Sequence, residues 1–496
     1  MSPINYYNTF SYFVAAVGFA ITISVFRKRR DHKLPPGPSG LPFIGNVHQL
    51  DTAKDRKGDI MYCRILGQDV IVLISEKVAQ DLLNQWSSNY SDRIEMPALT
   101  DPYGLTYNTA LLGHSDSWRF HRRIFHQTLR SNVAVAYRPM QLVKTAELVE
   151  NIAKSPEAWW DHTRRFSAGV ILSAMYDHEL SGTTEDDGVL KTVATALQLL
   201  TRLFTPETAM LITMFPIVKS IPTWLPGGWL NVVHCKNVIG EMYHGPFNML
   251  EARLDAGEAN QCVASDALTR FRNTDKIDNL DDVVRGVCGT AYAAGEETTG
   301  ATVIIFMLAM TLYPEVQARA QAEIDEVVGT DRLPDFEDRT SLPYLEAVYC
   351  ETLRWRPVAP TGIQHATTDA DVYNGYYIPK GALVISNIWA MSQNPDKYPS
   401  PSSFDPSRFL DADGSLVGNE PEYAFGFGRR ICPGRHLANG SVWSAMARIL
   451  SVFQIEKAKD AAGNVIYPDP EWTLGLTTFP KPFPCKITQR RVDVPK

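Results

Sequence analysis

The chain has 496 residues, of which 45% are hydrophobic and 21% charged, so it can bury a large core like an ordinary globular protein. Its formal net charge of −7 lacks the basic excess of nucleic-acid-binding proteins, and no nucleic acid partner is predicted. The seven cysteines are odd in number and show no paired spacing, which favours a reducing compartment over a disulfide scaffold and offers no zinc-type ligand pair.

Residues 1–26 carry no charged side chain, and the basic cluster of residues 27–30 follows at once. An apolar run close to the thickness of a bilayer that ends in basic residues predicts a single membrane-spanning anchor over residues 1–30, with the remaining chain in the cytosol. A cleaved signal peptide is the alternative, but its basic residues would precede the apolar run. The proline-rich residues 31–45 predict a stiff, extended hinge before the main body of the chain, residues 46–496.

Short strands are predicted at residues 61–66, 70–74 and 383–386, and Asn374-Gly375 predicts a type I′ hairpin over residues 372–377. Most of the remaining chain has helical patterns. The predicted helices cover residues 118–129, 140–152, 281–312, 315–328, 344–355 and 435–453. The sequence therefore predicts a mainly α fold with small β-sheets.

Residues 425–434 place Cys432 on a glycine-rich loop before a predicted helix. Backbone N–H groups of such a loop and the positive end of the helix stabilise a thiolate, and a thiolate ligand of heme iron favours O–O bond cleavage. Gly428 and Gly434 allow a sharp turn or a close approach to a porphyrin, and Arg430 suits a propionate. An isolated cysteine would ordinarily be a buried structural thiol, but the whole pattern favours heme ligation.

Residues 295–299, Gly-Glu-Glu-Thr-Thr, interrupt the otherwise apolar predicted helix at 281–312. Glycine, adjacent acids and hydroxyls are locally unfavourable inside a helix. The helix could simply tolerate them with the acids solvated, but such exceptions concentrate at functional sites. We therefore expect a functional distortion of this helix.

The pattern Phe425-x-x-Gly428-x-Arg430-x-Cys432-x-Gly434 resembles the heme-binding signature of the cytochrome P450 monooxygenases. Four further motifs extend the resemblance over nearly the whole chain, and the general likeness is to microsomal, fungal members. The resemblance implies the cytochrome P450 fold, with one large heme domain after the N-terminal anchor. It also implies heme b as the cofactor and Cys432 as its axial thiolate.

The run at 295–299 matches the family's oxygen-activation motif. The resemblance places Thr298 beside bound dioxygen, where its hydroxyl would help to relay protons. Glu297 would connect that relay to solvent, and Gly295 would allow the helix to open for oxygen and water. Many members have aspartate where this chain has Glu297, which adds one methylene to the acid.

Trp118 and Arg122 are four residues apart on one predicted helix face and match the family's Trp-x-x-x-Arg motif. The resemblance assigns both to a heme propionate, although a plain basic amphipathic helix would show the same spacing. His365 falls where the family often has Arg or His for the same purpose, and Arg430 completes the set.

Glu351 and Arg354 lie at i and i+3 and match the family's Glu-x-x-Arg motif, while Arg408 belongs to its Pro-x-Arg-Phe motif. An ordinary surface pair would contribute little to stability. The resemblance instead implies a buried charge network that fixes the cysteine loop. One departure from the family is the short segment 47–57, where relatives usually carry a longer helix.

The resemblance implies a single-pass enzyme of the endoplasmic reticulum membrane. It would insert one atom of O2 into a lipophilic small molecule, in secondary metabolism or in the oxidation of foreign compounds. The chain has no Gly-x-Gly-x-x-Gly after a strand and no phosphate loop, so electrons are expected from a separate NADPH-cytochrome reductase. Its docking face is predicted around four arginines, Arg119, Arg123, Arg429 and Arg435.

Three alternatives stay open at this stage: a rearrangement without O2, a peroxide-driven oxidation, and a non-catalytic heme-binding membrane protein. The pair Glu297-Thr298 argues against the first and the third. The segments expected to line the substrate pocket are largely apolar and comprise residues 97–112, 204–214, 293–294, 358–363 and 477–479.

Overall fold

The computed structural model describes residues 33–41, 46, 58–180, 188–272 and 279–490. The predicted anchor over residues 1–30 and the short segment 47–57 lie outside the described residues. The longer helices of the described part are α1 Asp116–Leu129, α2 Arg138–Lys154, α3 Trp159–Tyr176, α4 Gly188–Leu203, α5 Pro206–Met214, α6 Val232–Ala256, α7 Val263–Arg272, α8 Leu280–Leu312, α9 Pro314–Val327, α10 Pro343–Trp355 and α11 Arg435–Val452. Its strands are β1 Ile60–Ile65, β2 Gln68–Leu73, β3 His365–Ala366, β4 Asp371–Tyr373, β5 Tyr376–Ile378, β6 Leu383–Ser386, β7 Phe453–Lys457 and β8 Cys485–Gln489.

The strands form one four-stranded sheet and two two-stranded sheets within the described residues. The larger sheet has the order β1-β2-β6-β3, with β2 and β6 parallel and the other pairs antiparallel. The predicted hairpin is confirmed as β4–β5, because Asn374 and Gly375 have φ values of +50° and +76°, as a type I′ turn requires. The sheet brings His365 of β3 beside the region before α1.

Both large apolar clusters of the described residues include residues of helix α8. Its N-terminal half, including Val287 and Tyr292, packs with α1, α3, α6 and α7. Its C-terminal half, including Ile305 and Phe306, packs with α10, α11 and the sheets. The predicted oxygen-activation stretch therefore lies where the two clusters meet.

No single helix in the described ranges is both long and apolar enough to cross a bilayer. Only α8 and α9 satisfy that criterion together, and they are bent by 107° relative to each other.

The six predicted helices are confirmed as α1, α2, α8, α9, α10 and α11, each within a few residues of its predicted bounds. Helices α3 to α7 were not singled out. Helix α6 contains Pro246, which sequence rules treat as a helix end, yet it runs through 25 residues. In α3 the run from Ala168 to Tyr176 is almost wholly buried, so it lacks the polar face that marks an amphipathic helix.

The described part of the proline-rich segment lies against the sheets instead of spanning free space. The Tyr62 amide donates to the Pro36 carbonyl at 3.0 Å, and the Tyr377 amide donates to the Lys33 carbonyl at 2.7 Å. A Cβ at Gly37 would lie 1.8 Å from the Tyr62 carbonyl oxygen, so glycine is required at this contact. Residues 33–41 thus belong to the folded body, which differs from the linker that the sequence predicted.

The predicted network of Glu351, Arg354 and Arg408 is present and buried. Arg354 donates to both carboxylate oxygens of Glu351, at 2.6 and 2.7 Å, and neither side chain is exposed. Arg408 Nε donates to the same carboxylate at 3.3 Å. The Arg354 guanidinium also lies 5.4 Å from the ring of Tyr398, whose hydroxyl accepts from that of Tyr423. The network therefore contacts the chain that leads into the cysteine loop.

We predict that Glu351→Ala lowers the free energy of unfolding by about 3–5 kcal/mol, because it leaves Arg354 buried without its carboxylate. Equilibrium urea denaturation measures this loss. The matched control is Glu456→Ala, which breaks the exposed pair with Lys486 (3.7 Å) and should cost at most about 1 kcal/mol. Equal losses in the two variants would contradict the proposed role of burial.

Candidate active site

Cys432 lies on a tight loop directly before α11, where the glycine-rich pattern predicted it. The Cys432 amide donates to the Phe425 carbonyl at 2.8 Å and closes the loop. Gly428 has a φ of +55°, and a Cβ there would lie 1.9 Å from the Leu83 carbonyl oxygen, so only glycine fits. Gly434 has no protein atom within 4 Å of its Cβ position. The sharp turn and the contact with Leu83 thus explain why residue 428 is a glycine.

Cys432 is half-buried when the whole residue is considered. Burial raises its pKa, whereas N–H groups of Gly434 and Arg435 and the positive charges of Arg122 and Arg435 lower it. The amides belong to the start of α11, whose first N–H groups have no partner within the helix. The stabilising groups predicted from the sequence are present, but burial outweighs them.

Arg430 and Trp118 are in direct contact, with the guanidinium carbon 4.0 Å from the centre of the indole ring. Arg430 Nε and Nη2 donate to the carbonyls of Ser91 and Leu112, each at 2.8 Å. Its Nη1 is buried and has no partner in the described part of the chain. Burial lowers the pKa of Arg430 to about 10. A buried, unpartnered N–H of a cation is a donor for an incoming carboxylate.

Arg93 lies in the same cationic cluster, although no sequence motif predicts it there. Its guanidinium donates to backbone carbonyls of two separate loops, those of Ala110, Ile363 and Gln364. Its pKa is held well below the usual range by burial, and the charges of Arg430 and Arg122 lower it further. Burial also lowers the pKa of Arg122. Three guanidinium groups therefore share a poorly solvated region.

His365 lies beside this cluster, and its protonation limits what it can bind. Its Nδ1 is 2.7 Å from the Tyr90 carbonyl oxygen, so this nitrogen must carry the proton. Burial, then the charge of Arg93, lowers the His365 pKa to about 3. In the neutral ring Nε2 is an acceptor, and it can donate to a carboxylate only if that carboxylate raises the pKa. The predicted propionate role of His365 is therefore weaker than that of Arg430.

The predicted oxygen-activation stretch lies in the middle of α8. The Thr298 hydroxyl donates to the Ala294 carbonyl at 2.8 Å, within one turn. Ala294 is exposed although most of the central and C-terminal residues of α8 are buried. Residues four apart share a helix face, so Ala294 and Thr298 border the same open space.

The adjacent acids of this stretch have different partners. Glu296 is 5% exposed and bonds to Arg164 of α3 at 3.0 Å, and burial raises its pKa. Glu297 accepts a hydrogen bond of 2.5 Å from the hydroxyl of Thr477. Glu296 thus joins α8 to α3, while Glu297 joins it to the C-terminal loop. The sequence predicts Thr477 only as a residue that lines the substrate pocket.

Gly295 lies on the side of α8 that faces α3. A Cβ at this position would lie 2.9 Å from Cδ1 of Ile171, so a larger residue would displace the Ile171 side chain where the two helices approach closely. This packing is a physical reason for the residue that the sequence did not reveal. An additional role of Gly295 in opening the helix stays a prediction.

A cavity of about 860 Å³ lies between the segment before α1, α6 and the start of α8. It includes Tyr107 and Leu112 of the predicted substrate pocket, but neither Thr298 nor Cys432 lines it. Its opposite wall carries polar and charged side chains, among them Lys236, Glu241, His244 and Asp282. It therefore differs from the apolar pocket that the sequence predicted.

A smaller cleft of about 160 Å³ adjoins the cysteine loop, and its cationic or ionisable lining residues are Arg122, His126, Arg130, Arg435 and His436. Of the four predicted docking arginines, Arg119, Arg123 and Arg429 are exposed. Arg435 is partly buried and donates to the Cys432 carbonyl at 3.2 Å. Arg435 is therefore part of the loop as well as of this basic surface.

Comparison with known proteins identifies the group to which this architecture belongs. The sequence model of the family described as Cytochrome P450 matches residues 35–486. A cytochrome P450 monooxygenase of Armillaria gallica is 36% identical over 480 residues, 94% of each chain. The monooxygenase claR of Ampulloclitocybe clavipes is 38% identical over 93% of this chain and 87% of its own, and monooxygenase 136 of Postia placenta is 34% identical over 94% and 90%. The chain therefore belongs to the cytochrome P450 family, as a monooxygenase with a heme cofactor that has a thiolate ligand.

Proposed function

We propose that Cys432 supplies the thiolate and that the enzyme inserts one atom of O2 into a lipophilic small molecule, while the other atom leaves as water. The observation that carries this proposal is the position of the half-buried Cys432 directly before α11. Burial raises its pKa, but two backbone N–H groups and the charges of Arg122 and Arg435 oppose that shift. Cys485 is also partly accessible, but it lies in strand β8 opposite Lys457, and burial raises its pKa to about 12.

The residues around the cysteine loop fit a heme. The buried Nη1 of Arg430 lacks a partner in the described residues, and the neighbouring guanidinium groups need an anion. The two propionates of a heme would supply it, bound by Arg430 and Arg122 beside Trp118, with Arg93 close by. When bound, the heme supplies the oxygen-activating chemistry. Protein side chains then bind, orient and supply protons.

On the distal side, Thr298 and Glu297 would hold and move the protons that oxygen reduction consumes. The Thr298 hydroxyl is a donor within the exposed turn at Ala294. Glu297 is an acid whose carboxylate is oriented by Thr477. A rearrangement without O2 and a non-catalytic heme protein would need neither group. A peroxide-driven enzyme would not need the basic surface near Cys432, which supports the reductase-dependent reaction.

Electrons would come from a separate NADPH-dependent reductase that docks on the exposed arginines around the cysteine loop. This surface combines Arg123 and Arg429 with the basic cleft beside α11. Complementary charge guides such transient partners and sets their association rate.

The proposed substrate is an apolar compound, a secondary metabolite of terpenoid or polyketide type or a foreign aromatic. The predicted pocket lining supports this class, because Ile363 and the exposed side chains Met210, Leu211 and Met214 belong to it and are apolar. Residues 1–30 would anchor the enzyme in the endoplasmic reticulum membrane with its catalytic body in the cytosol, a proposal supported by their apolar sequence and the following basic cluster.

We predict that Cys432→Ser abolishes the red-shifted absorption that the reduced carbon monoxide complex of a thiolate-ligated heme shows. The serine hydroxyl cannot replace the thiolate as an electron-donating ligand. The matched control is Cys485→Ser, which should keep that absorption. A thiolate-type spectrum that persists in Cys432→Ser would sink the assignment, as would its loss in the Cys485 variant alone.

We predict that reversing two exposed charges, Arg123→Glu with Arg429→Glu, slows reduction by the reductase about tenfold at low ionic strength. The difference should shrink in high salt, because exposed charges are then screened. Stopped-flow reduction under carbon monoxide measures the rate. Lys191→Glu with Lys380→Glu reverses two exposed lysines on other elements and should leave the rate unchanged. An equal effect of both pairs would reject the docking surface.

We predict that Thr477→Val lowers the product formed per NADPH consumed about tenfold, because Glu297 loses a charge-assisted hydrogen bond of about 1.5 kcal/mol. The measurement uses a lipophilic compound that perturbs the heme spectrum of the wild-type enzyme. Thr477→Ser keeps the donor and should behave like the wild type. Similar yields for the valine and serine variants would show that the hydroxyl does not position Glu297.

A further inference from the structure

Helices α3 and α8 approach each other closely beside the oxygen-activation stretch, and glycine makes this possible. A Cβ at Gly300 would lie 3.3 Å from Cβ of Ser167, and one at Gly295 would lie 2.9 Å from Ile171. Ser167 is 1% exposed, so its hydroxyl must find its partners within the protein.

The Ser167 hydroxyl bonds to the backbone of α8. It accepts from the Gly300 amide at 3.0 Å and donates to the Glu296 carbonyl at 2.6 Å, with the Gly295 carbonyl at 3.1 Å. In an α-helix the amide of residue 300 donates directly to the carbonyl of residue 296. The side chain of Ser167 therefore joins the backbone of this turn of α8 to α3 by hydrogen bonds.

The same face of α3 holds the side chain of Glu296. Arg164 lies one turn before Ser167 and donates to the Glu296 carboxylate at 3.0 Å. Both the carbonyl and the carboxylate of Glu296 are thus attached to α3. Thr298 lies between Glu296 and Gly300, so the position of its Cα depends on both attached ends of the turn.

We propose that Ser167 is a positioning residue for oxygen activation: it attaches the turn from Gly295 to Gly300 to α3 and thereby sets the place of the Thr298 hydroxyl. The inference rests on the proposed function, since it concerns how this chain prepares the distal side of its heme. Without this hydroxyl, the backbone of the turn loses its hydrogen bonds to α3 and is free to shift relative to that helix. A displacement of a fraction of an ångström at a reacting group is enough to change its efficiency.

The test compares Ser167→Ala with the wild type by two measurements. We expect the reduced carbon monoxide complex to keep its thiolate-type absorption, while the infrared C–O stretching band shifts because the distal turn has moved. We also expect about a fivefold rise in the ratio of hydrogen peroxide released to product formed, which corresponds to about 1 kcal/mol. The infrared measurement needs no substrate, so it stands apart from activity.

The matched control is Ser173→Ala on the same helix, whose hydroxyl bonds to His178 and Glu179 and not to α8. It should leave the band and the ratio unchanged, and Ser167→Thr, which keeps a hydroxyl, should restore both. Gly300→Ala disturbs the same contact from α8 and should also shift the band. Unchanged bands in Ser167→Ala and Gly300→Ala would overturn the proposal, whereas a wild-type protein without thiolate-type absorption would overturn the proposed function.

Discussion

The structure depends on a group of buried positive charges that the protein alone does not neutralise. Arg93, Arg122 and Arg430 have pKa values lowered by burial, and nearby arginine charges lower them further. Asp92 is the carboxylate that offsets part of this charge. Desolvated like charges are costly unless an anion pairs with them. The heme propionates would remove that cost, so binding of the cofactor and stability of this region are coupled.

The second buried charge network, formed by Glu351, Arg354 and Arg408, contains its own anion. Glu351 satisfies Arg354 through two hydrogen bonds and also accepts from Arg408 and from the Asp405 amide. The carbonyls of residues 392, 401 and 403 complete the partners of Arg354. Every nitrogen of the Arg354 guanidinium thus has a partner within the protein, whereas Nη2 of Arg408 has no hydrogen-bond partner in the described residues. This network fixes the fold behind the cysteine loop, and the first cluster leaves Nη1 of Arg430 available as a donor.

The sequence predicted those features that have a local chemical cause. Asn374-Gly375 determines a hairpin because few other residue pairs adopt its turn, and Cys432 precedes α11 because glycines shape the loop. Ser167, Thr477 and Arg93 were missed as bonding partners. The hydrogen bonds of Ser167 join residues that are 128 to 133 positions apart in the chain, and that of Thr477 joins residues 180 positions apart. Those of Arg93 join residues 17 to 271 positions apart, and no local sequence pattern marks such contacts. Distant pairing depends on how the helices pack.

The adjacent acids of α8 show how packing divides roles that sequence cannot separate. Both are glutamates in an apolar helix, and either could serve as the acid of a proton relay. Glu296 is buried against α3, with its carboxylate on Arg164 and its carbonyl on Ser167, so it is committed to holding the turn. Glu297 is less buried, and its carboxylate accepts a hydrogen bond from a neutral group, the hydroxyl of Thr477. An acid that exchanges protons must not be fixed by a permanent cation, so Glu297 is the better candidate for the relay.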